Sequence, residues 1–127
     1  MSRARAIFLF LAGAMMVTAS FAHALAGWPA LKPELEKLSA SKDVMDTASI
    51  GWHWGSATMA TLGVIVLAGA WRWWSGDRSG AFAVRLVAAC WILFGIATML
   101  TYGVSGHFTG FIVIGALALA PTLGDGS

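Results

Sequence analysis

The chain has 127 residues, 58% of them hydrophobic and 11% charged, with a formal net charge of +2. Soluble domains carry charge on about a quarter of their residues, so this composition excludes an ordinary water-facing globule and points to a bilayer. The small positive surplus gives no reason to expect a nucleic-acid partner, and the one cysteine, Cys90, excludes an internal disulfide or a CxxC motif.

Arg3 and Arg5 precede an uncharged run over residues 6–26. At ~1.5 Å per residue that run crosses a ~30 Å hydrocarbon core, which predicts a first span. A basic start, an apolar centre and the small-x-small pattern Ala22-His23-Ala24 also describe a secretory signal, and cleavage after Ala24 would remove His23. Apolar character continuing through Leu25, Ala26 and Trp28 favours a retained span.

Residues 27–51 form the most polar segment and are expected as an outer loop. Leu31, Leu35, Leu38 and Met45 recur there at helical spacing after Pro29, which predicts a short amphipathic helix on the membrane surface, covering the protein's own outer end. The second span covers residues 52–74 and ends in Trp71, Arg72, Trp73 and Trp74, an interfacial set of aromatic rings and a cation. The turn SGDRSG from Ser75 to Gly80 then reverses the chain. A third span covers residues 81–102, with Arg85 placed to extend toward the headgroups. A short fourth span covers residues 107–120, followed by Pro121, Gly124 and Gly126. The expected fold is an all-α integral membrane four-helix bundle with antiparallel up-down topology, forming one domain over residues 1–127.

Arg3, Arg5, Arg72, Arg78 and Arg85 fall on one side of this arrangement, while Lys32, Lys37 and Lys42 on the other are offset by four acids. Basic residues stay on the cytoplasmic side, so both termini are expected there. His23, His53 and His107, which are every histidine of the chain, then share the outer face. WGSATMATLG from Trp54 matches FGIATMLTYG from Phe94 at six of ten positions, an echo among small and apolar residues for which chance is the simpler account.

Three imidazoles at one end of a bundle could hold copper, zinc or haem iron, with the thioethers of Met59 and Met99 favouring copper(I). They could equally be interfacial residues bonded to carbonyls or water. His53 and His107 each lie within a Gly-x-x-x-Gly step, Gly51 to Gly55 and Gly106 to Gly110, where another helix could approach closely. Thr58, Thr61, Thr98 and Thr101 could line a path, although threonine in a membrane helix usually bonds its own backbone. Cys90, in an apolar run, reads as a small buried residue, and Trp91 near mid-span as packing. No Asp or Glu lies within a span, which excludes a proton-driven exporter using an intramembrane carboxylate. Neither a Ser-His-Asp arrangement nor a phosphate loop is present, so no self-contained enzyme is expected.

AHALAGWPAL (Ala22 to Leu31), GWHWGS (Gly51 to Ser56) and GHFTGFIVIGALAL (Gly106 to Leu119) resemble a family of short, uncharacterised bacterial four-span proteins. That family has an AH pair ending the first span, a GWH starting the second and a GH starting the fourth. The resemblance implies a bacterial inner-membrane protein with a retained first span, and carries no activity. Three functions stay open: a non-enzymatic accessory or homo-oligomeric subunit that meets the bilayer and another membrane protein, a metal or haem protein, and a small channel or facilitator.

Overall fold

The computed structural model describes residues 3–123; the tail glycines Gly124 and Gly126 lie outside them. The described chain contains no strand. Its helices are α1 (Arg3–Ala22), α2 (Trp28–Lys37), α3 (Lys42–Trp74), α4 (Ala81–Tyr102) and α5 (Gly106–Leu119). Three helical stretches are long and apolar enough to cross a membrane: Arg3–Lys37, Lys42–Trp74 and Ala81–Tyr102. The fourth, Gly106–Thr122, is apolar and shorter.

The outer segment departs from expectation. α1 does not end at a loop but runs into α2 through one π turn, His23–Gly27, with helical backbone at Ala22, Gly27 and Trp28. That wider turn falls just ahead of Pro29, whose ring in a regular helix would press on the carbonyl four residues back. α3 begins at Lys42, capped by the Ser41 side chain, which accepts from the Val44 N–H at 3.4 Å. Residues 27–51 are therefore mostly extensions of two long helices rather than a loop bearing a surface helix. The side chains there support helix by pairing at short range, Lys32 with Glu36, Lys37 with Glu34 and Lys42 with Asp46. Of the expected apolar stripe, Leu31, Leu35 and Met45 are half-buried and Leu38 is exposed.

Packing divides the helices into two close pairs. α1 lies against α3 with paired positions running in opposite senses. A Cβ at Gly13 would stand 2.8 Å from Leu67 and one at Gly63 2.8 Å from Val17, while Ser20 Oγ donates to the Ser56 carbonyl at 2.9 Å. α4 lies against α5 in the same way, where Gly95 meets Ile112 and Gly115 meets Ile92 and the Ala88 carbonyl. Between the pairs, α3 and α4 meet closely beside their connecting turn, where Val84 packs onto Gly69.

The core follows this arrangement. Ala6, Leu9, Ala70, Trp73 and Val84 form one buried cluster at the end that carries the arginines; Met16, Val66, Val87, Trp91 and Ile114 belong to a second near mid-height. Arg3 lies 5.2 Å from the Trp74 ring. Arg85 is exposed and reaches the end of the α5 stretch. Its Nε donates to Thr122 Oγ1 at 3.2 Å and its Nη2 to the Thr122 carbonyl, tying the end of the α5 stretch to α4.

The echo in sequence has no counterpart in role. Gly63 is packed beneath α1, whereas Gly103 has φ +89° and ends α4.

Candidate functional site

At the opposite end, the histidine end, the two pairs do not close on each other. A cavity of about 460 Å³ opens there between α1 and α5, bordered by His23, Trp52, Met59, Trp91, His107 and Phe111 among others. A second, of about 340 Å³, opens on the α3–α4 side and shares His23, Met59, Trp91 and Phe111 with the first. The two are adjoining parts of one cleft with His23 between them. Its walls are flat rings: Trp91 and Phe111 lie 5.1 Å apart by centroid, and Phe94 stands edge-on to Phe111 at 4.9 Å.

The π turn places His23. A π turn leaves its carbonyls differently directed from those of a regular helix, and the His23 carbonyl accepts from both the Trp28 backbone N–H and Trp52 Nε1, the latter at 2.7 Å. The Trp52 ring stacks on the His23 imidazole with centroids 4.1 Å apart. Gly27 makes this possible, since a Cβ there would stand 2.7 Å from the Trp52 ring. Ser56 anchors the same face of α3 by donating to the Trp52 carbonyl at 3.0 Å.

Two of the three histidines border the cleft. His23 is half-buried and His107 exposed, the latter edge-on to Phe111 at 5.7 Å. His53 stands apart against Trp28, with centroids 6.0 Å apart. None of the three imidazoles is hydrogen-bonded to another described residue. Met59 borders both cavities and Met99 neither. Two imidazoles and one thioether are a donor set that suits copper(I), but among the described residues no three His, Cys, Asp or Glu side chains are grouped as a metal would need. That grouping is short of a closed zinc site, and His53 does not share the cleft with His23 and His107.

The glycine pairs make room rather than contact. A Cβ at Gly51, Gly106 or Gly110 would meet nothing within 4 Å, and one at Gly55 only His23 Nε2 at 4.0 Å. Among the described residues, then, no helix packs closely on them, and the close approaches fall on Gly13, Gly63, Gly95 and Gly115 instead. Gly110 and Gly55 border the cleft, one on each side.

No protein family, curated protein or solved structure matches the chain. The cleft is therefore read from its own chemistry. Thr58, Thr61, Thr98 and Thr101 each donate to the carbonyl four residues back at 2.9 Å, so their hydroxyl protons are committed to their own helices. Cys90 is exposed rather than buried, at the edge of the cavity on the α3–α4 side.

Sequence reasoning placed Trp91 in the packing, which its burial bears out, but assigned no part in a cleft to it, to Trp52 or to Phe111, the rings that do most to shape it. One signal was available: Trp52, Ser56, Met59 and Gly63 recur at helical spacing along one face of α3.

Proposed function

We propose that the chain is a non-enzymatic accessory protein of the bacterial inner membrane, with four antiparallel spans and both termini cytoplasmic, whose outer-end cleft receives a neutral, lipid-soluble molecule. The observation that carries this reading is the parting of two tightly packed helix pairs at the histidine end, around a space walled by rings and bordered by no Asp, Glu, Lys or Arg. A cavity of this size suits a small ligand rather than a helix. Gly106–Thr122 serves as the fourth span, at ~1.5 Å per residue a little shorter than the hydrocarbon core. The orientation rests on charge: the lysines at the histidine end are each paired with an acid, while Arg3, Arg72 and Arg85 mark the other end. The bilayer is the first partner. A second copy or another membrane protein would meet the open faces at Gly51 and Gly106.

Native mass spectrometry on protein released gently from its own membranes tests the reading. The expected spectrum shows the chain with a small neutral adduct that is missing from Gly110→Leu, whose side chain would fill the cleft. Identical spectra from the two proteins would overturn it.

A second reading, copper(I) or haem, is favoured by one observation, the shared border of His23, Met59 and His107. Stoichiometric copper or a Soret band in the same preparation, lost in His23→Ala, would replace the first reading with this one.

A further inference from the structure

The cleft's polar groups are unusual in kind. Trp91 is 4% exposed, borders both cavities, and its indole N–H has no hydrogen-bond partner among the described residues. Among the described residues, Trp73 Nε1 is the one fully sealed side-chain nitrogen or oxygen of which the same is true. The Trp91 N–H is therefore not sealed, and the cleft is the open space that this residue borders on both sides. His23 and His107 add two imidazoles with no hydrogen-bond partner among the described residues. Trp52 Nε1 is already committed to the His23 carbonyl.

A donor that faces an apolar space and finds no acceptor in the chain is costly to leave unpaired, so a ligand that fits this cleft brings acceptors. It brings no charge, because no charged side chain borders the space to balance one. It is flat, because Trp52, Trp91, Phe94 and Phe111 present ring faces and edges. It arrives through lipid, because both openings lie between apolar helices.

We propose that the cleft binds the ring of an isoprenoid quinone, with one ring carbonyl accepting from the Trp91 N–H and another from the His23 or His107 imidazole, and the tail leaving between α3 and α4. A neutral imidazole carries one donor and one acceptor nitrogen, so the same histidine also serves a quinol by accepting from its hydroxyl. This rests on the cleft being a ligand site, as proposed above, and names the class of ligand. Benzoquinones and naphthoquinones share the required chemistry.

The test titrates the full chain in detergent with decylubiquinone and, separately, menaquinone-4, following quenching of tryptophan fluorescence. Squalene, a chain of the same isoprenoid kind without carbonyls, is the competitor. Gly110→Leu blocks the cleft at a position where a side chain meets nothing, and Gly51→Leu, equally open but away from the cleft, is the control. The expected result is saturable quenching by at least one quinone, weakened tenfold or more in Gly110→Leu, unchanged in Gly51→Leu, and resistant to squalene. The stronger of the two quinones identifies the ring class. Displacement by squalene, with Gly110→Leu still blocking, would overturn the quinone and leave the cleft standing as a site for apolar chains. Equal quenching of the parent and Gly110→Leu would overturn both.

Discussion

The indole of Trp52 lies flat on the imidazole of His23, 6° from parallel, and its Nε1 donates to the backbone carbonyl of that same residue at 2.7 Å. One side chain thus fixes both the ring and the backbone of the residue at the centre of the cleft. Trp52→Phe keeps most of the stacking surface and loses the hydrogen bond. The expected loss is about 1 kcal/mol of stability, with faster hydrogen exchange confined to residues 23–28. Thermal unfolding and exchange mass spectrometry in detergent measure the two effects.

Glycines of this chain separate into those under a neighbour and those in the open. At Gly115 a Cβ would stand 2.9 Å from the Ala88 carbonyl, a backbone atom that cannot turn aside. Gly115→Ala is expected to destabilise by about 1–3 kcal/mol. Gly51→Ala meets nothing and gains up to ~1 kcal/mol of helix propensity. Unfolding of the two variants in mixed micelles should move in opposite directions, and a Gly115→Ala protein as stable as its parent would contradict the close α4–α5 packing.

In the turn between α3 and α4, the Ser79 backbone N–H donates to Asp77 Oδ1 at 2.8 Å and the Ser79 hydroxyl to Oδ2 at 3.0 Å. These bonds, the backbone one first, with a smaller contribution from Arg72, hold the Asp77 carboxyl below its ordinary value of 3.8. A carboxyl depressed in the folded state stabilises fully above its unfolded value, and that contribution is lost as pH falls through the folded one. Exchange at residues 75–80 should therefore be level from neutral pH down to about pH 4, after correction for the intrinsic exchange rate, and rise below it. Asp77→Asn should abolish that acid step.

The proposed orientation places Ser39 outside and Ser79 in the cytoplasm. In a Cys90→Ala background, Ser39→Cys should react with an impermeant maleimide on spheroplasts and Ser79→Cys only after lysis. The reverse pattern would turn the protein over and put the cleft on the cytoplasmic side.

The all-helical character of the chain and its three long apolar stretches were legible because apolar runs of about 20 residues have few other uses. The continuation of α1 into α2 was not, because Pro29 in sequence signals a break, whereas the helix passes it by way of the π turn just ahead. The gathering of His23 and His107 at one end followed from alternating direction. Which rings would face them did not. Trp52 could be an interfacial anchor as readily as a wall, and only the register between α1 and α3, set by Gly13, Gly63 and the Ser20–Ser56 bond, decides between the two. Cys90 was misread for a related reason. An apolar neighbourhood in a membrane helix does not distinguish a residue inside the protein from one facing lipid or a cleft.

The central claim is that the cleft at the histidine end holds a ligand through Trp91. The most direct measurement is the indole N–H spectrum of the seven tryptophans in lipid nanodiscs, before and after exhaustive delipidation, with Trp91 assigned from Trp91→Phe. The account predicts that the Trp91 resonance shifts and loses exchange protection on delipidation while sealed Trp73 stays in place. A Trp91 resonance as indifferent to delipidation as that of Trp73 would contradict it.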